Sequence, residues 1–248
     1  MEMHWSVKGV VARREGKERD TGMEPRPGMI KACGITRVED ALAAAEAGFD
    51  AVGVIFAESP RRVNPRLARE ICSALPPTVL RVGVFLRQGP GVVREFMRFC
   101  GLDLAQLHEA GGTAVREALG SRAIVALRPR EPGDLKELEN NRGLFATLID
   151  AWHPSLAGGT GLVVDWGLAA EAARRARIIL AGGLDAGNVA EAIGRVRPFG
   201  VDVCSGVEAS PGVKDPSLLR DFARAAREAF RVLAADSGGE SPGEGAVF

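Results

Sequence analysis

Cys33 and Asp150 are the side chains in this sequence best suited to move protons, and each closes or follows a short apolar run. A cysteine thiolate is a base, and the start of a following helix can lower a thiol pKa that is about 8.5 in free cysteine. A carboxyl group after an apolar run either caps the next segment or stays protonated because its surroundings are poorly solvated. An acid and a base together favour isomerisation or epimerisation of a sugar.

Three glycine-containing loops follow other apolar runs. The pairs Gly182–Gly183 and Ser205–Gly206 precede helical segments, where backbone N–H groups and a helix start can bind phosphate. Either pair alone could be a tight turn, but both together favour a phosphorylated small-molecule substrate. The Gly158–Gly161 segment, in the long connection after Asp150, is consistent with a mobile lid or with plain loop flexibility.

Basic side chains also follow apolar runs. Arg61 and Arg62 come after the second run, His108 after the fourth and Arg128 after the fifth. Each could be a solvated charge or a surface imidazole. Because they follow strand ends as Cys33 does, we interpret Arg61 and His108 as substrate contacts.

The elements that must position these residues are short apolar runs that alternate with amphipathic stretches of helical length. The predicted strands are Met29–Cys33, Ala51–Phe56, Leu80–Phe85, Leu104–Leu107, Ala123–Leu127, Leu144–Ile149, Ile178–Leu180 and Val201–Val203, each followed by a helical pattern. Such alternation predicts a parallel sheet, either doubly wound or closed. Eight units in about 200 residues favour a single-domain α/β fold, the (β/α)8 TIM barrel. Its active site forms where the carboxyl ends of the strands meet, here called the barrel mouth.

Three segments predict where helices begin. Thr36–Glu39 has the pattern of a capping box, and Asn64 and Asp215 each precede a proline. These side chains accept hydrogen bonds from the first turn, and a proline there sacrifices no hydrogen bond. The first, second and eighth helices should therefore start at these residues.

The composition favours one class of protein and excludes others. Of the 248 residues 46% are hydrophobic, and 32 basic residues balance 32 acidic ones. The charge balance argues against nucleic acid and membrane surfaces as partners, and no apolar run is long enough for a membrane span or a signal peptide. We expect a cytoplasmic protein, and either a monomer or a homodimer fits the outer helix faces.

The four cysteines are widely spaced and include no C-x-x-C pair, which indicates free thiols and no zinc site. Cys72 and Cys100 fall on helical patterns and are interpreted as small hydrophobic side chains. Strand alternation turns Cys204 toward the helices, so it too is given a structural role.

The two ends of the chain lack the patterns of the middle. Residues 1–28 show no helical or strand periodicity, and residues 236–248 are rich in Gly and Ser. We predict a disordered N-terminal extension over 1–28, or translation from an upstream start codon. The catalytic barrel then spans 29–235, and 236–248 form a flexible tail.

The opening Lys31–Thr36, Lys-Ala-Cys-Gly-Ile-Thr, resembles the K-x-C-G-[IL]-T motif of the phosphoribosylanthranilate isomerase family. The resemblance continues in order through Ser59–Arg61, Gln106–His108, Gly158–Gly161, Asp165–Trp166, Leu180–Leu184, Val203–Glu208 and Pro211–Asp215. It covers residues 29 to about 233, which makes it highly specific.

The resemblance implies an Amadori rearrangement of N-(5-phosphoribosyl)anthranilate in tryptophan biosynthesis, with no cofactor or metal. It implies that Asp150 protonates the furanose oxygen and that Cys33 removes the C2 proton of the ring-opened Schiff base. Arg61 and His108 would contact the anthranilate end. The phosphate would be bound by Gly182, Gly183, Ser205 and Gly206.

Some positions depart from the family pattern. Arg62 stands where Tyr is common, Glu109 where Gly or Asp is common, and Cys204 where Ser is frequent. They leave open the shape of the anthranilate pocket, because a displacement of about 1 Å can cost ~100-fold in rate. The leader over 1–28 is foreign to the family.

Other functions fit parts of the pattern. The phosphate loops occur in other sugar-phosphate isomerases and epimerases on the same barrel, and a barrel can also be a non-catalytic metabolite-binding module. Indole-glycerol-phosphate synthase fits less well because no lysine ends a central strand, and a dual-substrate histidine/tryptophan isomerase fits less well because Cys33 stands in place of Asp.

Overall fold

The chain folds into a closed barrel of eight parallel strands in sequential order, which confirms the predicted (β/α)8 architecture. The structure, a computed structural model, describes residues 27–108, 112–150 and 166–237. The barrel strands are β1 (Met29–Ala32), β2 (Ala51–Ile55), β3 (Leu80–Phe85), β4 (Leu104–Leu107), β5 (Ala123–Leu127), β6 (Ala146–Asp150), β7 (Ile178–Ala181) and β8 (Gly200–Val203). β1 pairs with β2 on one side and with β8 on the other, and these pairings close the sheet.

Helices cover the outside of the barrel. In the described ranges the α-helices are α1 (Val38–Glu46), α2 (Pro65–Ala74), α3 (Pro90–Cys100), α4 (Gly112–Leu119), α5 (Trp166–Arg175), α6 (Val189–Val196) and α7 (Pro216–Ser237). None of these helices is both long and apolar enough to span a membrane.

Alternate residues of each strand face the barrel axis and the helices. One buried cluster, which includes Met29, Val82 and Leu148, fills the inside of the barrel. A larger cluster packs the outward residues against the helices. Because both strand faces are buried, most strand positions are apolar and no strand alternates regularly between apolar and polar residues, and this is why the strands could be predicted.

Two of the three predicted helix starts are confirmed. The Asn64 side chain accepts a hydrogen bond from the Leu67 N–H at the start of α2. Asp215 accepts from the N–H groups of Ser217 and Leu218 at the start of α7.

The capping box predicted at Thr36 is wrong. The N-cap of α1 is Arg37, which makes no side-chain capping hydrogen bond. The Thr36 hydroxyl instead donates to the carbonyl of Gly212, far away in the sequence. A tertiary partner has therefore replaced the local one.

The segment between β5 and β6 is not an α-helix, although a helical pattern was predicted after every strand. Residues Pro132–Asn141 form a 3-10 helix, which begins at a reciprocal cap between Glu131 and Asp134. Its buried residues Leu135, Leu138 and Asn141 recur every three positions, which matches the three residues per turn of a 3-10 helix.

A short hairpin that the sequence analysis did not predict lies between β8 and α7. Strands β9 (Glu208–Ser210) and β10 (Val213–Lys214) pair antiparallel, after a single 3-10 turn over Ser205–Val207. The Thr36 to Gly212 hydrogen bond ties this hairpin to the loop after β1. It therefore brings the connections after β1 and β8 together at the barrel mouth.

Candidate active site

Cys33 is the first residue beyond β1, at the barrel mouth, and it is 7% exposed. Its N–H donates to the carbonyl of Val203 at 2.8 Å, which fixes it against the end of β8. The chain then turns sharply at Gly34, with a φ of 73°. A Cβ atom at Gly34 would lie 2.6 Å from Cδ of Arg61, so the absence of a side chain lets Arg61 approach Cys33.

A buried ion pair lies below Cys33 in the barrel. The Nζ of Lys31 donates to Oδ1 of Asp202 at 2.8 Å, and Lys31 is fully buried. The pair faces inward, because the neighbouring residues Ile30 and Val201 belong to the cluster under the helices. A Cβ atom at Gly53 would lie 3.0 Å from Sγ of Cys33 and 3.3 Å from Cε of Lys31, so both side chains pack over this glycine.

The electrostatics of Cys33 differ from the sequence prediction. Burial raises the pKa of the Cys33 thiol, and the Lys31 ammonium opposes this shift only in part. Burial of Lys31 opposes its positive charge, but the Asp202 carboxylate raises the pKa of Lys31 above its usual range. Lys31 therefore stays protonated. The prediction that a helix start lowers the pKa of Cys33 is therefore wrong, because desolvation has the larger effect.

Asp150 is the last residue of β6, and its side chain is 22% exposed. Nη2 of Arg128 lies 2.7 Å from Oδ2 of Asp150, and Nε of Arg128 donates to the same oxygen at 2.8 Å. Of the two alternatives for Asp150, poorly solvated apolar surroundings do not describe this contact, because a guanidinium group pairs with the carboxyl group. The structure brings together Asp150 and Arg128, two residues that the sequence predicted at the mouth.

His108 lies after β4, where its N–H donates to the carbonyl of Phe85. Its Nε2 is 2.8 Å from Nε2 of Gln106, a buried residue whose Oε1 has no hydrogen-bond partner within the described ranges. The amide of Gln106 therefore engages one ring nitrogen of His108. Gln106 thus orients the imidazole ring of His108.

Arg61 is held by Glu208 from the hairpin after β8. Nε and Nη2 of Arg61 donate to the two carboxylate oxygens of Glu208 at 2.8 and 2.6 Å. Lys214, fully buried, donates to Oε1 of Glu208 and to the carbonyl of Cys204, both at 2.9 Å. Burial opposes ionisation, but the hydrogen bonds from Arg61 and Lys214 lower the pKa of Glu208 below its usual range.

The two predicted phosphate loops touch each other. Gly182 and Gly183 both have positive φ, at 95° and 65°, so they form a turn that other residues rarely adopt. A Cβ atom at Gly206 would lie 2.0 Å from the carbonyl oxygen of Leu184, which shows how closely the loops after β7 and β8 pack. Ser205 is exposed beside them. The arrangement presents two adjacent turns at one side of the mouth.

The remaining cysteines are free, as predicted. Cys72 and Cys100 are buried on helices, and burial raises the pKa of each to about 12. Cys204 does not turn toward the helices as predicted. A Cβ atom at Gly34 would lie 2.9 Å from its Sγ, and Nζ of Lys214 is 4.0 Å from it. Burial raises the pKa of Cys204 to about 12.

Several sequence predictions concern residues that lie outside the described ranges. They are Glu109, the Gly158–Gly161 loop and Asp165. Arg62, at one of the departures from the family pattern, forms a bridge with Ile55. In the described part of the chain no cluster of His, Cys, Asp or Glu has the arrangement of a metal site.

Sequence reasoning missed Lys31, Asp202, Glu208 and Lys214. A signal existed for Lys31, because a lysine inside an apolar strand must pair when it is buried. Its partner Asp202 is 171 residues away, and the pair becomes visible only when β1 and β8 are aligned in the closed barrel. Glu208 and Lys214 belong to the hairpin, whose strands are too short to show a periodic pattern.

Comparison with known proteins gives consistent matches. A family model described as N-(5′phosphoribosyl)anthranilate (PRA) isomerase matches residues 30–225. The N-(5′-phosphoribosyl)anthranilate isomerase of Rubrobacter xylanophilus is 49% identical over 203 residues, which cover 80% of this chain and 98% of the relative.

Two solved structures are also similar to this chain. The phosphoribosyl anthranilate isomerase of Thermotoga maritima has a TM-score of 0.73 and 39% identity, covering 81% of this chain and 98% of its own. A phosphoribosyl anthranilate isomerase in complex with reduced 1-(o-carboxyphenylamino)-1-deoxyribulose 5-phosphate has a TM-score of 0.70 and 36% identity, with the same coverage.

Proposed function

This chain belongs to the N-(5′-phosphoribosyl)anthranilate isomerase family, and we propose that Cys33 and Asp150 carry out its reaction as base and acid. The reaction converts N-(5′-phosphoribosyl)anthranilate to 1-(2-carboxyphenylamino)-1-deoxyribulose 5-phosphate, an Amadori rearrangement of an aldose to a ketose in L-tryptophan biosynthesis. The observation that carries the residue assignment is the position of Cys33 and Asp150 at the ends of β1 and β6, on the same barrel mouth.

Ring opening requires an acid. Protonated Asp150 gives its proton to the furanose oxygen as the bond from C1 to that oxygen breaks, and the lone pair of the amine nitrogen forms a C1=N bond. The product is an open-chain Schiff base with a new hydroxyl group. Arg128, within hydrogen-bond distance of Asp150, stabilises the carboxylate that remains.

Proton removal from C2 requires a base. The Cys33 thiolate takes the C2 proton, the electrons of that bond form a C1=C2 bond, and the electrons of the C1=N bond return to nitrogen. The resulting enolamine becomes the ketone when its C2 hydroxyl proton is lost and C1 is protonated. Proton return from the Cys33 thiol to Asp150 through water restores both groups, and no electrons are gained or lost.

The two ends of the substrate require different contacts. Arg61 supports binding of the anthranilate carboxylate, because a guanidinium group matches a carboxylate in charge and geometry. The imidazole of His108, oriented by Gln106, supports binding at the same end. The turns at Gly182–Gly183 and Ser205–Gly206 support phosphate binding through backbone N–H groups.

We also assign the chain to the cytoplasm, since its four cysteines are free and a reducing compartment preserves free thiols. A monomer and a homodimer both remain compatible with the outer helix faces.

Turnover of freshly prepared N-(5′-phosphoribosyl)anthranilate tests the function directly. We expect the anthranilate fluorescence to disappear at a rate proportional to protein concentration, with ribulose 5-phosphate left unchanged. Conversion of ribulose 5-phosphate instead would favour another sugar-phosphate isomerase or epimerase. Tight binding of the anthranilate substrate without turnover would favour a non-catalytic barrel.

A further inference from the structure

A buried ion network connects the hairpin after β8 to the loop after β2. Glu208 stands at its centre, with a side chain only 4% exposed, and both of its oxygens accept hydrogen bonds from Arg61. Lys214 donates to one of these oxygens from the other strand of the hairpin. A third donor to Oε1 is the N–H of Gly212 at 3.3 Å. Glu208 is therefore held by the hairpin from one side and holds Arg61 on the other.

The two bonds to Glu208 determine how Arg61 is oriented. A guanidinium group has five N–H donors in one plane, and the bonds to Glu208 use those on Nε and one on Nη2. The plane of the group and the direction of its remaining donors on Nη1 and Nη2 are then fixed. Gly34 contributes as well, because the aliphatic part of Arg61 packs where a Cβ atom would otherwise lie.

The hairpin that carries Glu208 is itself anchored. Nζ of Lys214 donates to the carbonyl of Cys204. The backbone N–H of Lys214 donates to Oδ2 of Asp40 in α1 at 3.0 Å. The hydroxyl of Thr36 donates to Gly212 in the turn. The hairpin is thus anchored both to the end of β8 and to the first helix.

The charges in this network leave an excess of one positive charge. Arg61 and Lys214 are cationic, and Glu208 is the anion between them. Lys214 is fully buried, whereas the Arg61 side chain is 21% exposed. The excess charge can therefore meet a ligand only at Arg61, and an anionic group on the ligand is what it favours.

We propose that Glu208 is a positioning residue, which orients Arg61 so that its remaining donors meet the carboxylate of the aromatic end of the substrate. The proposal rests on the proposed function, in which Arg61 contacts that carboxylate. Glu208 touches no substrate atom. It selects for substrates that carry the carboxylate, because an arginine already held in place loses little conformational freedom on binding.

The test compares two ligands that differ only in the carboxylate. One is reduced 1-(o-carboxyphenylamino)-1-deoxyribulose 5-phosphate, and the other is the same molecule without the carboxyl group. Calorimetry measures the Kd of each for the wild-type chain and for Glu208→Gln. Glu191→Gln is the control, since Glu191 also pairs with an arginine, Arg195, but on the exposed face of α6.

We expect Glu208→Gln to raise the Kd of the carboxylate ligand by about 10- to 100-fold, the effect of losing an oriented, charge-assisted contact. The ligand without the carboxylate should bind as it does to the wild type, and Glu191→Gln should change neither. In turnover, KM should rise while kcat changes little. Glu208→Asp keeps the charge, but its side chain is too short for both bonds, so it should raise the Kd of the same ligand by a smaller factor. This variant replaces Glu208→Gln if Glu208→Gln does not fold.

Equal weakening of both ligands would overturn the proposal, because Glu208 would then support the mouth as a whole. Tighter binding of the carboxylate ligand to the Glu208→Gln variant would also overturn the proposal. Glu208 would then act mainly by offsetting the positive charge of Arg61 and not by orienting it. If the wild type neither turns over the anthranilate substrate nor binds either ligand, the proposed function itself fails. That outcome is distinct, because it is seen before any Glu208 variant is measured.

Discussion

In the proposed reaction Cys33 acts as a base from a buried position, where the neutral thiol is favoured over the thiolate. Lys31 lowers the pKa of Cys33, and Asp202 keeps Lys31 charged by pairing with it at 2.8 Å. Asp202 also acts on Cys33 directly, in the direction that raises the thiol pKa. At the scale of single residues, the supply of thiolate therefore depends on Lys31.

Replacement of Lys31 should move the pH dependence of catalysis. A base must be deprotonated, so kcat/KM rises with pH through the pKa of Cys33 in the free protein. Because burial raises that pKa, the rise should lie above the range of ordinary cysteines. Lys31→Met removes the cation that opposes this shift, and we expect the rise to move to higher pH by about 1 to 3 units. Thiolate absorbance, corrected with Cys33→Ser, measures the same pKa without turnover.

Two further variants make the Lys31 result specific. Lys136→Met removes an exposed lysine from the 3-10 segment and should leave the profile unchanged. The double variant Lys31→Met with Asp202→Asn removes the buried carboxylate that Lys31→Met alone leaves without a partner. An unchanged profile in both folded Lys31 variants would show that Lys31 does not control Cys33.

Replacement of Asp150 should stop ring opening. Asp150→Asn keeps the shape of the side chain but has no transferable proton, and we expect a loss of at least ~100-fold in kcat with the fold intact. Asp221→Asn on α7 removes another arginine-paired aspartate and should have no effect. A loss limited to substrate affinity would make Asp150 an orienting group and leave the acid to be found elsewhere.

The candidate residues on strand ends could be predicted from sequence, but their partners could not. Cys33, Arg61, His108 and Asp150 each follow a recognisable apolar run. The contact between Arg61 and Glu208 joins residues 147 positions apart, and no local pattern encodes it. The buried state of Cys33 was also missed, because burial at the mouth depends on loops from several strands.

Among the elements of the fold, the loops after the strands and the β9–β10 hairpin determine the shape of the barrel mouth. The turns after β7 and β8 are in contact through Gly206 and Leu184. The hairpin β9–β10 connects the ends of β1, β2 and β8 through Thr36, Arg61 and Cys204. The elements outside the regular barrel therefore shape the site, while the proposed base and acid stand at the carboxyl ends of β1 and β6.

A side chain at Gly206 should disturb the phosphate side of the mouth. The new Cβ of Gly206→Ala would lie 2.0 Å from backbone oxygen, so one of the two loops must move. We expect the Kd of the reduced product ligand to rise by about 10-fold or more, the loss of roughly one charge-assisted hydrogen bond. Gly194→Ala on α6 is the control, since a Cβ there meets nothing within 4 Å. Unchanged affinity in Gly206→Ala would remove these loops from the phosphate site.

Elements with regular patterns were predicted better than elements made by tertiary contacts. All eight barrel strands agree with the prediction to within two residues at each end, because both faces of each strand are buried. Thr36 matched a capping pattern but bonds to Gly212 instead. The 3-10 segment at 132–141 carries leucines three residues apart, and this spacing was available in the sequence.

The closed barrel brings residues far apart in the sequence to one face of the whole molecule. β1 and β8 become neighbours, with Lys31 aligned with Asp202 and Ala32 with Val203. The carboxyl ends of all parallel strands point to the same side, so Cys33 and Asp150 share one mouth. The fold class could be predicted because only the number of strand and helix units was needed.

Residues 1–26 of the N-terminal extension predicted over 1–28 should be dispensable, whereas Gly28 belongs with the barrel. Gly28 donates to the carbonyl of Phe199 at 2.8 Å and accepts from Arg227 at 2.8 Å, so it contacts the barrel. A chain that begins at Pro27 should keep the thermal midpoint and the turnover of the full chain. A start at Met29 should cost about 1 to 3 kcal/mol of unfolding free energy, because these bonds are lost. A large loss in the chain that begins at Pro27 would show that earlier residues support the barrel.

The proposed reaction depends on one chemical event, the removal of the C2 proton by Cys33. Substrate labelled with tritium at C2 reports it directly, because the label passes to water when the proton is taken. In a single turnover the wild type should release tritium as the anthranilate fluorescence disappears. Cys33→Ser should release it at least ~100-fold more slowly, with the Kd of the reduced product ligand unchanged, while Cys72→Ser behaves as the wild type. Release by Cys33→Ser at the wild-type rate would contradict the account.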